Sequence, residues 1–450
     1  MNTSVLTFGT AVALLMSAVA SASLATAQDF GTARSAPGSL EDRMLAPAAL
    51  QSADGTVQAF YRLNHGKAAW SAEAEAQLRR VLDDRVRHGL DHLTFLDALP
   101  AGLSDQRDVA LTGAALRYAV ALSSGAVDPK SLYGLYTIAR PAKVDLVEGL
   151  ARALQQGSLG EWFESLAPQT DEYRLIAQAY VASRDPSDDM AERAGDAGSS
   201  ADPAGERVAS DRHRFLAVAL ERLRWLEREP PATRIDVNTA ATELTYFREG
   251  TVADRRRVIV GRPDKPTPQL QSNLFRLIAN PTWSVPAPIV RDELAGKGAA
   301  YLRSRHMVRR GGAIVQLAGP FNALGLVKFD LDNDRAIYLH DTSARHLFGK
   351  DQRFFSHGCV RVENALNFAE MLALDQDLSS AWRGARQKSS SVALRERIPV
   401  RMLYHDVFVR DGRIVFVADP YGWSEQVAER LGFGENEGMR PYINIDDIGP

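Results

Sequence analysis

The sequence predicts an α+β chain: a helical scaffold domain followed by a mainly β domain. Three observations predict it. From about Ala59 to Arg184, apolar residues recur at helical spacing. From Thr233 onward they alternate with polar residues, broken by hairpin turns. Between these regions, Asp185 to Asp211 holds eight acidic residues, two basic residues and no aromatic. Such a stretch cannot bury enough apolar surface to offset its ordering entropy.

In chain order, the first element is a targeting segment. Val5 to Ala22 is apolar and small-residue-rich, and Ala25-Thr26-Ala27 has the small-x-small pattern of a cleavage site. Residues 1–27 therefore read as a secretory signal, with the mature chain starting near Gln28. Met1 to Thr7 lacks Lys and Arg, so an uncleaved anchor is the rival reading. No other stretch approaches membrane-spanning length, so no span is expected after cleavage.

The helical scaffold is expected over 40–184. Leu78, Val81, Leu82 and Val86 share a helical face before Gly89; Leu116, Ala119 and Val120 do so before Gly125; Val147, Leu150, Ala151 and Leu154 before Gly157. Glycine tolerates the left-handed conformation that ends helices. Residues 185–211 read as a flexible acidic linker. A second domain is expected over 212–430, opened by a helix on Phe215, Leu216, Ala219, Leu220, Leu223 and Leu226. Glu249-Gly250, Asp332-Asn333-Asp334 and Asp411-Gly412 mark turns between strands. Ala365, Phe368, Ala369 and Leu372 predict a helix with Asn364 as N-cap. Residues 431–450 read as a tail.

Composition narrows the function. With 53 basic and 56 acidic residues the net charge is −3, which gives no global electrostatic reason to bind nucleic acid or an anionic membrane. The chain has one cysteine, Cys359, which excludes an internal disulfide, a Cys-x-x-Cys pair and a zinc site needing two thiolates. In an exported protein a lone cysteine is either inert or kept for its chemistry.

The surroundings of Cys359 favour chemistry. His340 ends a strand, and fifteen residues separate it from Ser356-His357-Gly358-Cys359-Val360-Arg361. An imidazole, a hydroxyl and a guanidinium near the thiol favour the thiolate. Gly358 allows backbone N–H groups to turn toward an oxyanion, and His340 can accept a proton. Together these make an acyl-transfer site. A silent structural cysteine and a metal site on His340, His357 and Cys359 are the rival readings, the latter lacking a fourth ligand. No cofactor is implied.

This constellation resembles the signature of L,D-transpeptidases with a YkuD-type catalytic domain. Asn280 to Pro286, Asn322-Ala323-Leu324-Gly325, Val327-Lys328-Phe329, Tyr338 to Thr342, Arg222-Leu223-Arg224-Trp225, Phe60-Tyr61 and His88-Gly89-Leu90 resemble the YcbB-like branch. The resemblance implies a YkuD-like β-sandwich and a periplasmic enzyme that cross-links peptidoglycan stem peptides and is acylated by carbapenems. It maps Cys359 onto the nucleophile, His340 onto the base and the Asp341 carbonyl onto the group orienting that base. His357, Gly358 and Cys359 map onto the oxyanion-hole turn. Ser356, Arg361, Tyr338 and Asn322 are the expected substrate contacts, and Val290 to Arg310 occupies the place of a lid. The peptidoglycan-binding module common in that branch is replaced by the acidic linker, and Ser343 stands where a proline commonly follows His-Asp-Thr.

Overall fold

The computed structural model describes residues 43–184 and 203–434. The signal segment 1–27, most of the acidic linker and residues 435–450 of the tail lie outside the described residues.

The helical region begins with Pro47–Gln51, Gly55–Leu63, Ala72–Asp83 and Asp105–Ser124. Pro129–Leu132, Leu146–Gln156, Leu159–Leu166 and Asp171–Ala182 complete it. Side-chain oxygens of Asp54, Ser71, Ser104, Asp145 and Thr170 accept hydrogen bonds from first-turn N–H groups. Each satisfies donors that a helix start leaves orphaned. Gly89 and Gly157 end their helices in the left-handed conformation, as the sequence pattern expects.

The helix at the second domain's start is longer than expected, spanning Pro203–Arg224. Residues 203–211, read from composition as linker, form its first turns. Short-range polarity cannot reveal that the helix is held by packing further along. Leu216, Ala217, Val218, Ala219, Leu220, Leu223 and Trp225 are buried in the helical core. This helix thus packs with the scaffold helices rather than with the sheet. Its Arg224 donates to the His88 carbonyl (2.7 Å) and pairs with Glu221 (2.6 Å), all three groups being buried. Gly89 lies against it so closely that a Cβ would come within 3.1 Å of the Ala217 Cα.

The strands are β1 (Arg234–Asn238), β2 (Glu243–Arg248), β3 (Thr251–Gly261), β4 (Gln271–Ala279), β5 (Trp283–Ser284), β6 (Met307–Arg310) and β7 (Ala313–Gln316). They continue with β8 (Val327–Leu331), β9 (Leu339–His340), β10 (Phe354–Ser356), β11 (Val360–Val362), β12 (Ser391–Leu403), β13 (Val407–Arg410) and β14 (Arg413–Phe416). The main sheet runs β10-β3-β11-β9-β8-β4-β12-β1-β2, and β2 pairs with β3 as well. The expected sandwich is therefore joined at its edge, and the ladder closes into a circuit that leaves few open edges. Its core holds Val258, Val260, Leu274, Leu277, Val327, Phe329, Leu339, Val360 and Val400, covered by the helices Ala365–Asp375 and Ser379–Lys388.

Turn chemistry explains the hairpins. Glu249 and Gly250 both have positive φ (51° and 80°), as do Asp411 and Gly412 (49° and 76°). Two consecutive positive φ values match the strand twist in a two-residue hairpin. Asn364 precedes its helix but sits at φ 48° and makes no side-chain cap, so it is a turn residue rather than the expected N-cap. Strands β5, β6 and β7 form a separate small sheet around Val285, Leu294, Leu302, Met307 and Ile314. This unit occupies the expected lid position.

The carboxyl-terminal part returns to the helices. Val407, Val427, Ala428 and Leu431 join the helical core. Phe433 packs on His92 with ring centroids 4.1 Å apart. Residues 431–433, expected as tail, are thus packed, because an apolar Leu and Phe find a groove that the preceding sequence cannot show.

Candidate active site

Pairing of β9 with β11 creates the site. The two run parallel, with Val360 opposite Leu339 and Arg361 opposite His340. The register places Cys359 just before β11, beside Tyr338 and His340 at the end of β9. The Val360 N–H donates to the Tyr338 carbonyl at 3.1 Å. His340, Cys359, Tyr338, Ser356, His357 and Arg361 all line one cleft of about 630 Å³.

The orientation of His340 is defined by one bond. Its Nδ1 lies 2.5 Å from the Asp341 carbonyl oxygen. A carbonyl only accepts, so Nδ1 carries the proton and Nε2 keeps its lone pair. The Asp341 carboxylate is buried and accepts from the Leu326 N–H (2.9 Å) and from Arg345 (2.8 Å). Gly325 makes this possible: at φ 60°, a Cβ there would fall 2.4 Å from that carboxylate. Burial, with Arg361 and Lys328 nearby, pushes the His340 pKa down to about 3. His340 is therefore a neutral imidazole at neutral pH.

The thiol differs from the expected thiolate. Burial pushes the Cys359 pKa above the ordinary thiol range. Hydrogen bonds from Tyr338 and the cations Lys328 and Arg361 pull it down, but less strongly. Sγ lies 3.6 Å from the Ala336 carbonyl, to which the thiol proton is directed. Ala336 itself has φ 55°, and Asn333 braces its loop by donating to the Ile337 carbonyl (2.8 Å). The resting pair is neutral thiol and neutral imidazole: sequence neighbours supply positive charge, but tertiary burial outweighs it.

The turn before Cys359 is held from several sides. Gly358 has φ 113°, which a side chain would strain. Its N–H donates to Ser356 Oγ (3.1 Å), and its carbonyl accepts from Thr267 Oγ1 (2.8 Å). Gly358 N–H is thus occupied, which corrects its expected place in an oxyanion hole. The N–H groups of His357 and Cys359 have no acceptor among the described residues. Ser356 is buried and braces the turn. Asn322 is also buried, its amide donating to the carbonyls of Pro281 (3.1 Å) and Leu317 (2.9 Å). It supports Ala323 and Leu324 at the cleft wall and is not itself a contact surface, contrary to expectation.

The remaining residues define the walls. His357 Nε2 lies 2.8 Å from Glu293 of the small lid-position unit, and Lys265 lies 2.9 Å from Asp292 beside it. His357 is therefore tied to a carboxylate, leaving His340 as the residue with a free base nitrogen. Tyr338 packs edge-on to His340 at 5.6 Å, and Lys328 Nζ sits 4.3 Å from the Tyr338 ring centroid. Arg361 Nε is buried with no hydrogen-bond partner among the described residues. Sequence reasoning missed Thr267, Lys265 and Glu293. Thr267 lies between two prolines after β3, and that punctuation was its only signal.

Residues 232–389 match the YkuD family, described as the L,D-transpeptidase catalytic domain. This segment is thus similar to an L,D-transpeptidase catalytic domain. Residues 55–179 match a second family, described as a scaffold domain. A putative L,D-transpeptidase of Haemophilus influenzae is 30% identical over 219 residues, which are 43% of this chain and 45% of that relative. The chain thus aligns with less than half the length of this curated relative. Among solved structures, an L,D-transpeptidase from Mycobacterium smegmatis covers 38% of this chain and 58% of its own at 15% identity and a TM-score of 0.22. The Enterococcus faecium L,D-transpeptidase catalytic domain acylated by ertapenem covers 37% and 98%, at 15% identity and a TM-score of 0.21. Superpositions this poor add nothing to the family match. The YkuD domain embraces β1 to β11 and both covering helices, and so contains His340 and Cys359.

Proposed function

We propose that this protein is a peptidoglycan L,D-transpeptidase of the YcbB-like branch, with Cys359 as nucleophile and His340 as base. One observation carries the reading: the Asp341 carbonyl holds the Nδ1 proton of His340, leaving a neutral Nε2 acceptor in the cleft that holds the only thiol. In the first half-reaction Sγ attacks the carbonyl between diaminopimelate and D-alanine of a tetrapeptide stem. The thiol proton passes to Nε2 as the C–S bond forms. The C–N bond then breaks, that proton goes to the leaving amine, and D-alanine departs. In the second half-reaction the side-chain amine of another stem attacks the thioester. Nε2 takes the amine proton and returns it to sulfur as the C–S bond breaks, giving a link between the third residues of two stems. The N–H groups of His357 and Cys359 are the donors available to the developing oxyanion. The buried, unpartnered Arg361 Nε suits a substrate carboxylate.

Proton transfer from a neutral thiol to a neutral imidazole during attack avoids creating an ion pair before substrate is bound. This fits a buried imidazole beside a partly buried thiol. The protein acts in the periplasm after export through residues 1–27. No helix among the described residues is long and apolar enough to cross a membrane. Incubation with defined tetrapeptide muropeptides, followed by mass analysis, tests the function. The expected products are a dimer and free D-alanine. Monomeric tripeptide with D-alanine would make water the acceptor, and unchanged substrate would overturn the enzymatic reading. A carbapenem should add one mass adduct to the wild-type chain and none to Cys359→Ala.

A further inference from the structure

We propose that Asp91, His92 and His213 form a binding site for a divalent transition-metal ion, best suited to zinc, in the helical unit and apart from the catalytic cleft. One ligand atom from each residue lies within 4.8 Å of the others. Two imidazoles and one carboxylate match the nitrogen and oxygen donors that zinc takes, with a position left for water.

The surroundings hold these side chains as metal ligands are commonly held. His213 Nδ1 lies 2.8 Å from Ser183 Oγ, which fixes the ring and leaves Nε2 to face a metal. The same ring stacks on Tyr180 at 4.1 Å with an interplanar angle of 18°. Tyr180 in turn donates its hydroxyl to Asp91 Oδ1 at 2.7 Å, so one tyrosine positions two of the three ligands. The other carboxylate oxygen meets Arg184 Nε only at 3.7 Å, and the Arg184 side chain is half exposed. That loose pair supplies the countercharge in the metal-free chain and can move aside. His92 is set by Phe433 stacking at 4.1 Å and by Gly432, whose close approach puts a hypothetical Cβ 2.6 Å from the His92 carbonyl.

The ligands come from two distant parts of the chain, and a third part braces one of them. Asp91 and His92 follow the turn at Gly89, His213 sits on the helix Pro203–Arg224, and Phe433 belongs to the carboxyl-terminal segment. The unfolded chain does not bring them together, so metal binding would add to folding stability. The site also lies next to Ser183 and Arg184, where the helical domain ends. A bound ion would clamp the joint between that domain and the rest of the chain.

The test uses the full mature chain carrying Cys359→Ala, which removes the thiol as a competing ligand. After chelator treatment, zinc chloride is titrated by calorimetry, cobalt binding is followed by visible absorption, and metal content is measured by mass spectrometry. One zinc per chain is expected, with a rise in Tm. Asp91→Asn and His213→Gln should each weaken binding by at least about tenfold and abolish the zinc-dependent rise in Tm. If His213→Gln fails to fold, His92→Gln serves in its place, and far-UV circular dichroism identifies folded variants. Absence of zinc binding at millimolar concentration, or undiminished binding in folded Asp91→Asn and His92→Gln proteins, would overturn the site.

Discussion

At the residue scale, the proton carried by His340 Nδ1 favours this histidine over His357 as the proposed base. Only a donor can meet the Asp341 carbonyl at 2.5 Å, whereas His357 is engaged with Glu293. Cys359→Ala should abolish turnover and acylation. His340→Ala should lower turnover by about 10²–10⁴-fold, measured by mass analysis of muropeptide products. A His357→Ala loss larger than that of His340→Ala would reverse the assignment. The titration of the pair makes a second prediction. With His340 depressed to about 3, the base remains unprotonated from pH 7 to pH 5. The acylation rate followed by intact mass should therefore be nearly flat across that interval. A fall with midpoint near 6.5 would show an ordinary, solvated imidazole at work.

At the scale of elements, the two side chains proposed as catalytic are placed by strand register, and that register rests on tight backbone contacts. Gly325 is an exacting one, because it lies against the Asp341 carboxylate at positive φ. Gly325→Ala should cost about 2–3 kcal/mol in chemical denaturation, from left-handed strain and the clash together. It should also depress turnover in the remaining folded protein, since Asp341 cannot shift without moving the carbonyl that orients His340. Unchanged stability would mean that the β8–β9 corner relaxes freely. The helix Pro203–Arg224 shows the complementary lesson. Its polar amino-terminal turns resemble linker in composition, while its later turns are fixed by a buried network of Arg222, Asp406 and Ser424. Removing one member of such a network would leave an uncompensated buried charge.

At the scale of the whole molecule, the helices and the closed sheet pack together directly. Tyr136 bridges to Gln269, the Thr137 N–H donates to the Gln269 carbonyl (3.2 Å), and Arg401 of β12 pairs with Glu227 just beyond the helix Pro203–Arg224. Limited proteolysis within 185–202 should therefore give two fragments that co-elute on a sizing column. Separation of the fragments would mean that the shared core is too weak to hold them. Stability should also respond to pH. His405, buried near Arg222 and Arg401, has its pKa pushed down to about 3. Below the unfolded value near 6.5 the unfolded chain gains a proton that the folded chain refuses, so acidification destabilises. His405→Gln should reduce the slope of stability against pH between 6 and 4 by up to about 1.4 kcal/mol per pH unit. Buried carboxylates whose pKa is raised, Asp406 and Glu172 among them, act oppositely, and comparison of the variant with wild type isolates the histidine. Identical slopes would place His405 in contact with water.

The α+β class, the helix stops at Gly89 and Gly157, the Glu249-Gly250 and Asp411-Gly412 hairpins, and the candidate pair His340 and Cys359 are all readable along the chain. Those features are local: glycine tolerance of positive φ, apolar spacing and a rare side-chain type near a histidine are all legible along the chain. The rest depends on packing between distant segments. That packing partly withdrew the thiol from water, which raises its pKa more than the neighbouring cations lower it. It spent the Gly358 N–H on Ser356 and the Asn322 amide on loop carbonyls, and it brought Thr267 under the catalytic turn. Burial and hydrogen-bond competition depend on atoms distant in sequence, and a residue's type does not say which partner reaches it first.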